Sequence, residues 1–218
     1  MSVFEKYNKE VGQINGWYRF KPINQILESI HLFQRQNKIF AGVAEIGVFQ
    51  GKSFIPLSIL SDFEESRISI DSFGSAPDSD GVYGDGKENK AKFLQNYFLI
   101  VGSKKLDLIE KDSKLLTEKD ILNISANGIR MFSIDGDHSR EGTFYDLRLA
   151  QKCLCDRGII LIDDYTNSSW PGVREGVDLF LKENKGLNVL YYGFNKLILS
   201  NFTNNDELSS LRNTLKGS

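Results

Sequence analysis

Ile134-Asp135-Gly136-Asp137-His138, answered downstream by Ile160-Leu161-Ile162-Asp163-Asp164-Tyr165, decides how this chain is read. Each is a short apolar run that stops abruptly in carboxylates. An apolar run of that length reads as a buried strand, and open α/β sheets bind ligands just beyond the carboxyl ends of their strands. Carboxylates gathered at such a spot repel one another. A hard cation between them removes the repulsion, because Mg2+ and Ca2+ prefer oxygen ligands. The competing reading makes these Asp residues helix caps or turn formers. Two acidic strand ends in one chain, one of them carrying a His, favour the ligand-binding reading.

Working outward from these two strands, the pattern alternates. Residues 1–20 are polar with aromatic insertions (Phe4, Tyr7, Trp17, Tyr18, Phe20) and read as an appendage that packs over something. Pro22 opens a helix with Ile23, Ile26, Leu27, Ile30 and Phe33 on one face. His31, in that helix, reads as structural. A strand at about 40–46 and a helix from about Ser53 follow, then a strand from Arg67 to Ile70 that ends in Asp71. Residues 72–87, rich in Gly, Asp, Ser and Pro, form the one long irregular segment and read as a lid. Beyond it come a helix (88–100), strands from Leu106 to Glu110 and Arg130 to Ile134, a helix from Glu141 to about Cys155, and a strand from Gly158 to Ile162.

Pro171 starts a further helix with Val173, Val177, Phe180 and Leu181 on one face. The strands from Leu187 to Tyr192 and Lys196 to Ser200 are separated only by Gly193-Phe194-Asn195, too short for a crossover, so this pair is antiparallel. The fold class is therefore α/β, a doubly wound and mostly parallel seven-stranded sheet of Rossmann-like type closed by a C-terminal antiparallel hairpin. The expected division is an appendage or lid (1–22), a catalytic domain (23–202) and a loosely helical tail (203–218).

Bulk properties narrow the function. The 218 residues carry a net charge of −2 with no dense Lys/Arg stripe, so nucleic acid is not an expected partner. No apolar stretch is long enough to span a bilayer, and the charged N-terminus lacks a signal-peptide core. Cys153 and Cys155 are too close in sequence to bridge readily. A soluble, cytoplasmic protein acting on small molecules, possible as a homo-oligomer, is the expectation.

The segment Glu45-Ile46-Gly47-Val48-Phe49-Gln50-Gly51-Lys52-Ser53 encloses three residues between its glycines where a phosphate loop needs four. Phe49 also stands where a dinucleotide fingerprint needs Gly. An acid just before a Gly turn instead suits a ligand with an ammonium group and no phosphate, although a generic strand-to-helix turn remains open. Asp71, at the end of the second strand, suits a ribose, whose two hydroxyls a carboxylate accepts together. Asp112-Ser113, after the third strand, reads either as an adenine contact or as a helix cap.

Glu45, Gly47, Gly51, Asp71, Asp112-Ser113 and the closing hairpin resemble the class I S-adenosylmethionine-dependent methyltransferases over roughly residues 23–200. Asp135-Gly136-Asp137-His138 with Asp163-Asp164 more specifically resembles the metal-dependent O-methyltransferases of the macrolide-sugar type (the macrocin, mycinamicin and aminocoumarin tailoring enzymes), and more distantly catechol O-methyltransferase. The resemblance implies Glu45, Gly47, Gly51, Ser53, Asp71, Ser72, Asp112, Ser113 and Asp135 as the S-adenosylmethionine-binding set. It implies Asp135, Asp163 and Asp164 as ligands of Mg2+ or another hard divalent cation. His138 stands where part of the sugar-modifying group carries its base and the catechol group carries Lys, so His138, with Asp135, is expected to be catalytic.

The expected reaction transfers a methyl group to one hydroxyl of a vicinal diol on a sugar or glycosylated small molecule. The metal would chelate two neighbouring oxygens and His138 would take the proton. Trp170 is a candidate lining of the acceptor pocket or a cover over the sheet edge, Tyr165 a candidate support behind the acid pair, and Asp137 a supporting residue or turn former. A cephalosporin hydroxylase-like oxidoreductase and a non-catalytic S-adenosylmethionine-binding module are the alternatives.

Overall fold

The computed structural model describes residues 3–74 and 85–216. Seven stretches pair into one sheet: β1 (Gly42–Ile46), β2 (Arg67–Asp71), β3 (Asp107–Glu110), β4 (Ile129–Ile134), β5 (Leu154–Ile162), β6 (Asn188–Gly193) and β7 (Lys196–Ser200), in the order β3-β2-β1-β4-β5-β7-β6. The first five run parallel, and β7 is antiparallel to both β5 and β6. The strand order reverses between β1 and β4, which opens a crevice at their carboxyl ends.

Alternation along each central strand divides the core. Val43, Met131, Leu161 and Ile198 point to one face, against Ile26 and Ile30 of α2 (Phe20–Gln36), Phe54 of α3 (Phe54–Leu60) and Phe93 of α4 (Gly86–Ile100). Ala44, Ile70, Phe132, Ile134, Ile160 and Ile162 point to the other, against Leu147 of α6 (Arg140–Cys153) and Val177 and Phe180 of α7 (Pro171–Glu183). Burial on both sides explains why these strands read as unbroken apolar runs.

Three elements differ from expectation. The N-terminal appendage forms α1 (Glu5–Glu10), and Phe4, Tyr7, Val11 and Ile14 join the first of these cores. A short helix, α5 (Glu118–Leu122), sits between β3 and β4, started by a reciprocal cap between Thr117 and Asp120. β5 begins at Leu154 rather than near Gly158, with Arg157 in a left-handed conformation at φ 57° and a register shift against β4. The tail is helical as expected, in α8 (Asn205–Lys216), with Leu208 and Leu211 buried.

The amino ends of the strands hold charge of a purely structural kind. Arg67 donates to the carbonyls of Lys105, Asp62, Glu65 and Phe63, and Arg130 pairs with Glu65 and Gln34. Both guanidiniums are fully buried and satisfied, which leaves chemistry to the opposite end of the sheet.

Candidate active site

Hydrogen bonds continue past the strand ends, and this aligns the acids. The Gly47 amide donates to the Ile70 carbonyl (2.8 Å), the Asp135 amide to Ile46 (2.8 Å) and the Asp163 amide to Ile134 (3.0 Å). The tips of β2, β1, β4 and β5 therefore follow one another in register, with Asp135 and Asp163 on adjacent strands. Gly47 (φ 84°) lets β1 turn away directly against β4, because a Cβ there would lie 1.9 Å from the Asp135 carbonyl oxygen.

The acid pair after β5 is divided between two partners. Asp163 accepts from the Asp164 amide on Oδ1 (2.7 Å), and its Oδ2 forms an ion pair with the Lys196 ammonium. Lys196 is 5% exposed and lies 5.2 Å from the centre of the Tyr18 ring, whose hydroxyl donates to Asn24 (3.0 Å). Burial would pull this ammonium down, but Asp163 and Asp135 outweigh it and keep Lys196 charged. Asp164 (φ 55°) faces elsewhere: its Oδ1 accepts from Asn195 (2.6 Å) and Asn167 (3.0 Å).

Asp135, His138 and Asp164 each offer a ligand atom, and these atoms lie within 4.8 Å of one another. His138 Nε2 is 3.3 Å from Asp164 Oδ2 and 3.7 Å from Asp135 Oδ1, and it makes no well-formed hydrogen bond. Its ring stacks on Trp170 at 4.5 Å between centroids, 17° from parallel. Burial opposes the imidazolium, but the two carboxylates prevail and push His138 up to about 10. Without added positive charge the ring is therefore a proton holder. Two carboxylates converging beside an imidazole whose nitrogen is orphaned fit a divalent cation held on the carboxylate oxygens, with the ring next to it. Asp163, whose Oδ2 faces the Lys196 ammonium, is not part of that group.

The loop after β1 carries the other predicted residues. Gly51 closes a turn onto the Val48 carbonyl (2.7 Å). Glu45 is fully buried, accepts from Ser53 (3.1 Å) and Ser133 (2.8 Å), and is pushed up to about 8 by burial and by Asp135. Glu45 and Ser53 thus brace the underside of the loop, and the free carboxylate expected for an ammonium group is not presented. Asp71 accepts from the Phe49 and Phe73 amides (2.8 Å each), which fixes its carboxylate at the tip of β2.

Ser72 follows Asp71 at the same tip and is half-buried. Asp112 caps the turn at Ser113–Leu115 through the Lys114 amide (2.9 Å), the capping alternative raised above. The Ser113 hydroxyl opposes the burial that pushes Asp146 up to about 7. Asp137 pairs with Lys114 and accepts from the Ser139 amide (2.9 Å), a turn role as expected. Residues 75–84 of the expected lid lie outside the described residues.

Lys196, Asn195 and Tyr18 were not anticipated. The signal was present in the antiparallel closing strand: pairing of Ile162 with Leu197 sets Lys196, the first residue of β7, opposite Asp163, the residue just after β5.

This architecture, with acids at the tips around the β1/β4 crevice, is that of a methyl-transferring enzyme. The chain belongs to the methyltransferase-domain family, whose profile matches residues 44–165. Among solved structures it is similar to the O-methyltransferase NovP (TM-score 0.62, 17% identity, covering 82% of this chain and 79% of that one). It is also similar to CalS11, a TDP-rhamnose 3'-O-methyltransferase of calicheamicin biosynthesis (0.57, 17%, 92% and 87%). An O-methyltransferase from Bacillus cereus in complex with SAH is comparable (0.59, 13%, 91% and 89%). No curated protein matches the chain. Among the described residues no helix is long and apolar enough to cross a membrane.

Proposed function

We propose that the protein is an S-adenosylmethionine-dependent O-methyltransferase that uses a divalent cation to methylate one hydroxyl of a vicinal diol on a sugar. The observation that carries the reading is the Asp135–His138–Asp164 group beneath Trp170, at the crevice where the strand order reverses. Asp71, oriented by two backbone amides, suits the ribose of the methyl donor, and the Gly47 turn lets the donor approach the backbone. Asp135 and Asp164 would hold Mg2+ or a similar ion, which supplies a Lewis acid that acidifies the acceptor hydroxyl and offsets the pull of the two carboxylates on His138. His138, held flat by Trp170, is then the proton acceptor. The half-buried site limits water, which favours a step that joins a cation to an anion. A sugar acceptor gains support from CalS11, a TDP-rhamnose 3'-O-methyltransferase.

The test is mass spectrometry of acceptor panels (TDP-rhamnose and related vicinal diols, with catechol for contrast) incubated with S-adenosylmethionine. The expected product is heavier by one methylene unit, is lost on chelation, and is lost with Asp135→Asn. Turnover that persists in excess EDTA refutes the metal, and a gain of one oxygen refutes methyl transfer.

A further inference from the structure

The hairpin between β6 and β7 assigns one partner to each member of the acid pair. Asn195, the last residue of its turn, and Lys196, the first of β7, hold adjacent residues of the loop after β5, Asp164 and Asp163. The two attachments differ in kind. Asn195 donates to one oxygen of Asp164 and leaves the other 3.3 Å from His138. Lys196 takes the Asp163 oxygen that the backbone leaves free. Nor has Lys196 an easy way out, for it is buried beneath the Tyr18 ring and starts a strand paired to β5. A buried ion pair seldom repays its desolvation through stability alone, so its place in the cleft invites a functional account.

We propose that Lys196 withholds Asp163 from the cation, so that the site is built from Asp135 and Asp164 with His138 beside them rather than from three carboxylates. The inference rests on the metal reading above and deepens it by naming the donor set. Lys196 is a positioning residue in this account: it fixes Asp163, and its charge tempers the affinity of a cluster that would otherwise hold a cation more tightly.

Mn2+ alone serves as the probe, with the free ion followed by electron paramagnetic resonance during titration of the full chain. Lys196→Met frees a carboxylate and removes a positive charge, so Mn2+ should bind at least about tenfold tighter, the scale on which such neighbours move a metal site. The double variant Lys196→Met/Asp163→Asn removes the pair with no net change of charge, which also spares it an unpaired buried acid. It should bind Mn2+ within about threefold of the wild type, whereas Asp135→Asn should lose at least about thirtyfold. If the double variant falls as far as Asp135→Asn while the wild type binds, Asp163 is a ligand and the inference is overturned, with the metal reading intact. If neither the wild type nor Lys196→Met binds Mn2+, the metal reading fails, and this inference with it.

Discussion

Gly47→Ala is the sharpest probe of the crevice. Two costs arise. At φ 84° an L-residue loses about 1–2 kcal/mol to contact between its Cβ and its own backbone. In addition the new methyl would lie 1.9 Å from the Asp135 carbonyl oxygen and 2.9 Å from the Gly136 nitrogen. These are backbone atoms that no rotamer change can move, so overpacking adds roughly 1–3 kcal/mol or more. The total, about 2–5 kcal/mol, corresponds to a fall in Tm on the order of 10 °C for a chain of this size.

Gly102→Ala separates the two contributions, since Gly102 has nearly the same φ (82°) and nothing within 4 Å of an added Cβ. Calorimetry should find Gly47→Ala the more destabilising by at least about 1 kcal/mol. Titration with SAH should show affinity reduced by at least about tenfold for Gly47→Ala and unchanged for Gly102→Ala, because only the first parts the tips of β1 and β4. Equal destabilisation by the two variants, or full SAH affinity in Gly47→Ala, would refute the claim that this contact sets the crevice.

Two further outcomes follow from the site and its support. Asn195→Gly keeps the left-handed turn (φ 65°) but removes the bonds to Asp164 and Thr166, so chemical denaturation should show a loss of about 2 kcal/mol together with reduced turnover; unchanged turnover would dissociate the hairpin from catalysis. His31 is lowered to about 4 by burial and by Arg130 and Arg35, so on acidification the unfolded chain takes its proton first. Its contribution should therefore be intact above pH 6.5 and fade as pH falls towards 4, and a His31→Gln variant measured by denaturation across that range should lack this component.

The sheet was legible because its strands are buried on both faces and so write themselves as Val43-Ala44, Phe132-Ser133-Ile134 and Ile159-Ile160-Leu161-Ile162. The acids were legible because each follows such a run. Partner choice was not. Asp163 and Asp164 look alike in sequence, and what separates them is a hairpin more than 30 residues on, where Asn195 and Lys196 arrive only through β7 pairing. The enclosure of Glu45 was not legible for a related reason: Ser133 on β4 and Ser53 just before α3, which bond it, are distant in sequence or carry no signal of that contact. α5 escaped notice because Glu118–Leu122 is barely one turn and its cap residues also read as loop.

The long helix α2 lies against the last helix, α8, and Phe33 packs edge-on against Phe202. Tyr7 in α1 likewise bonds to the Lys52 carbonyl (2.7 Å), and Lys52 reaches back to that of Gly16 (2.9 Å). Phe33 and Phe202 stand 169 positions apart (202−33), so this contact closes a far longer loop than any within one strand–helix unit. Contacts of such separation are the costly ones to close, so the α2–α8 seam is expected to form late in folding, after the local strand–helix units.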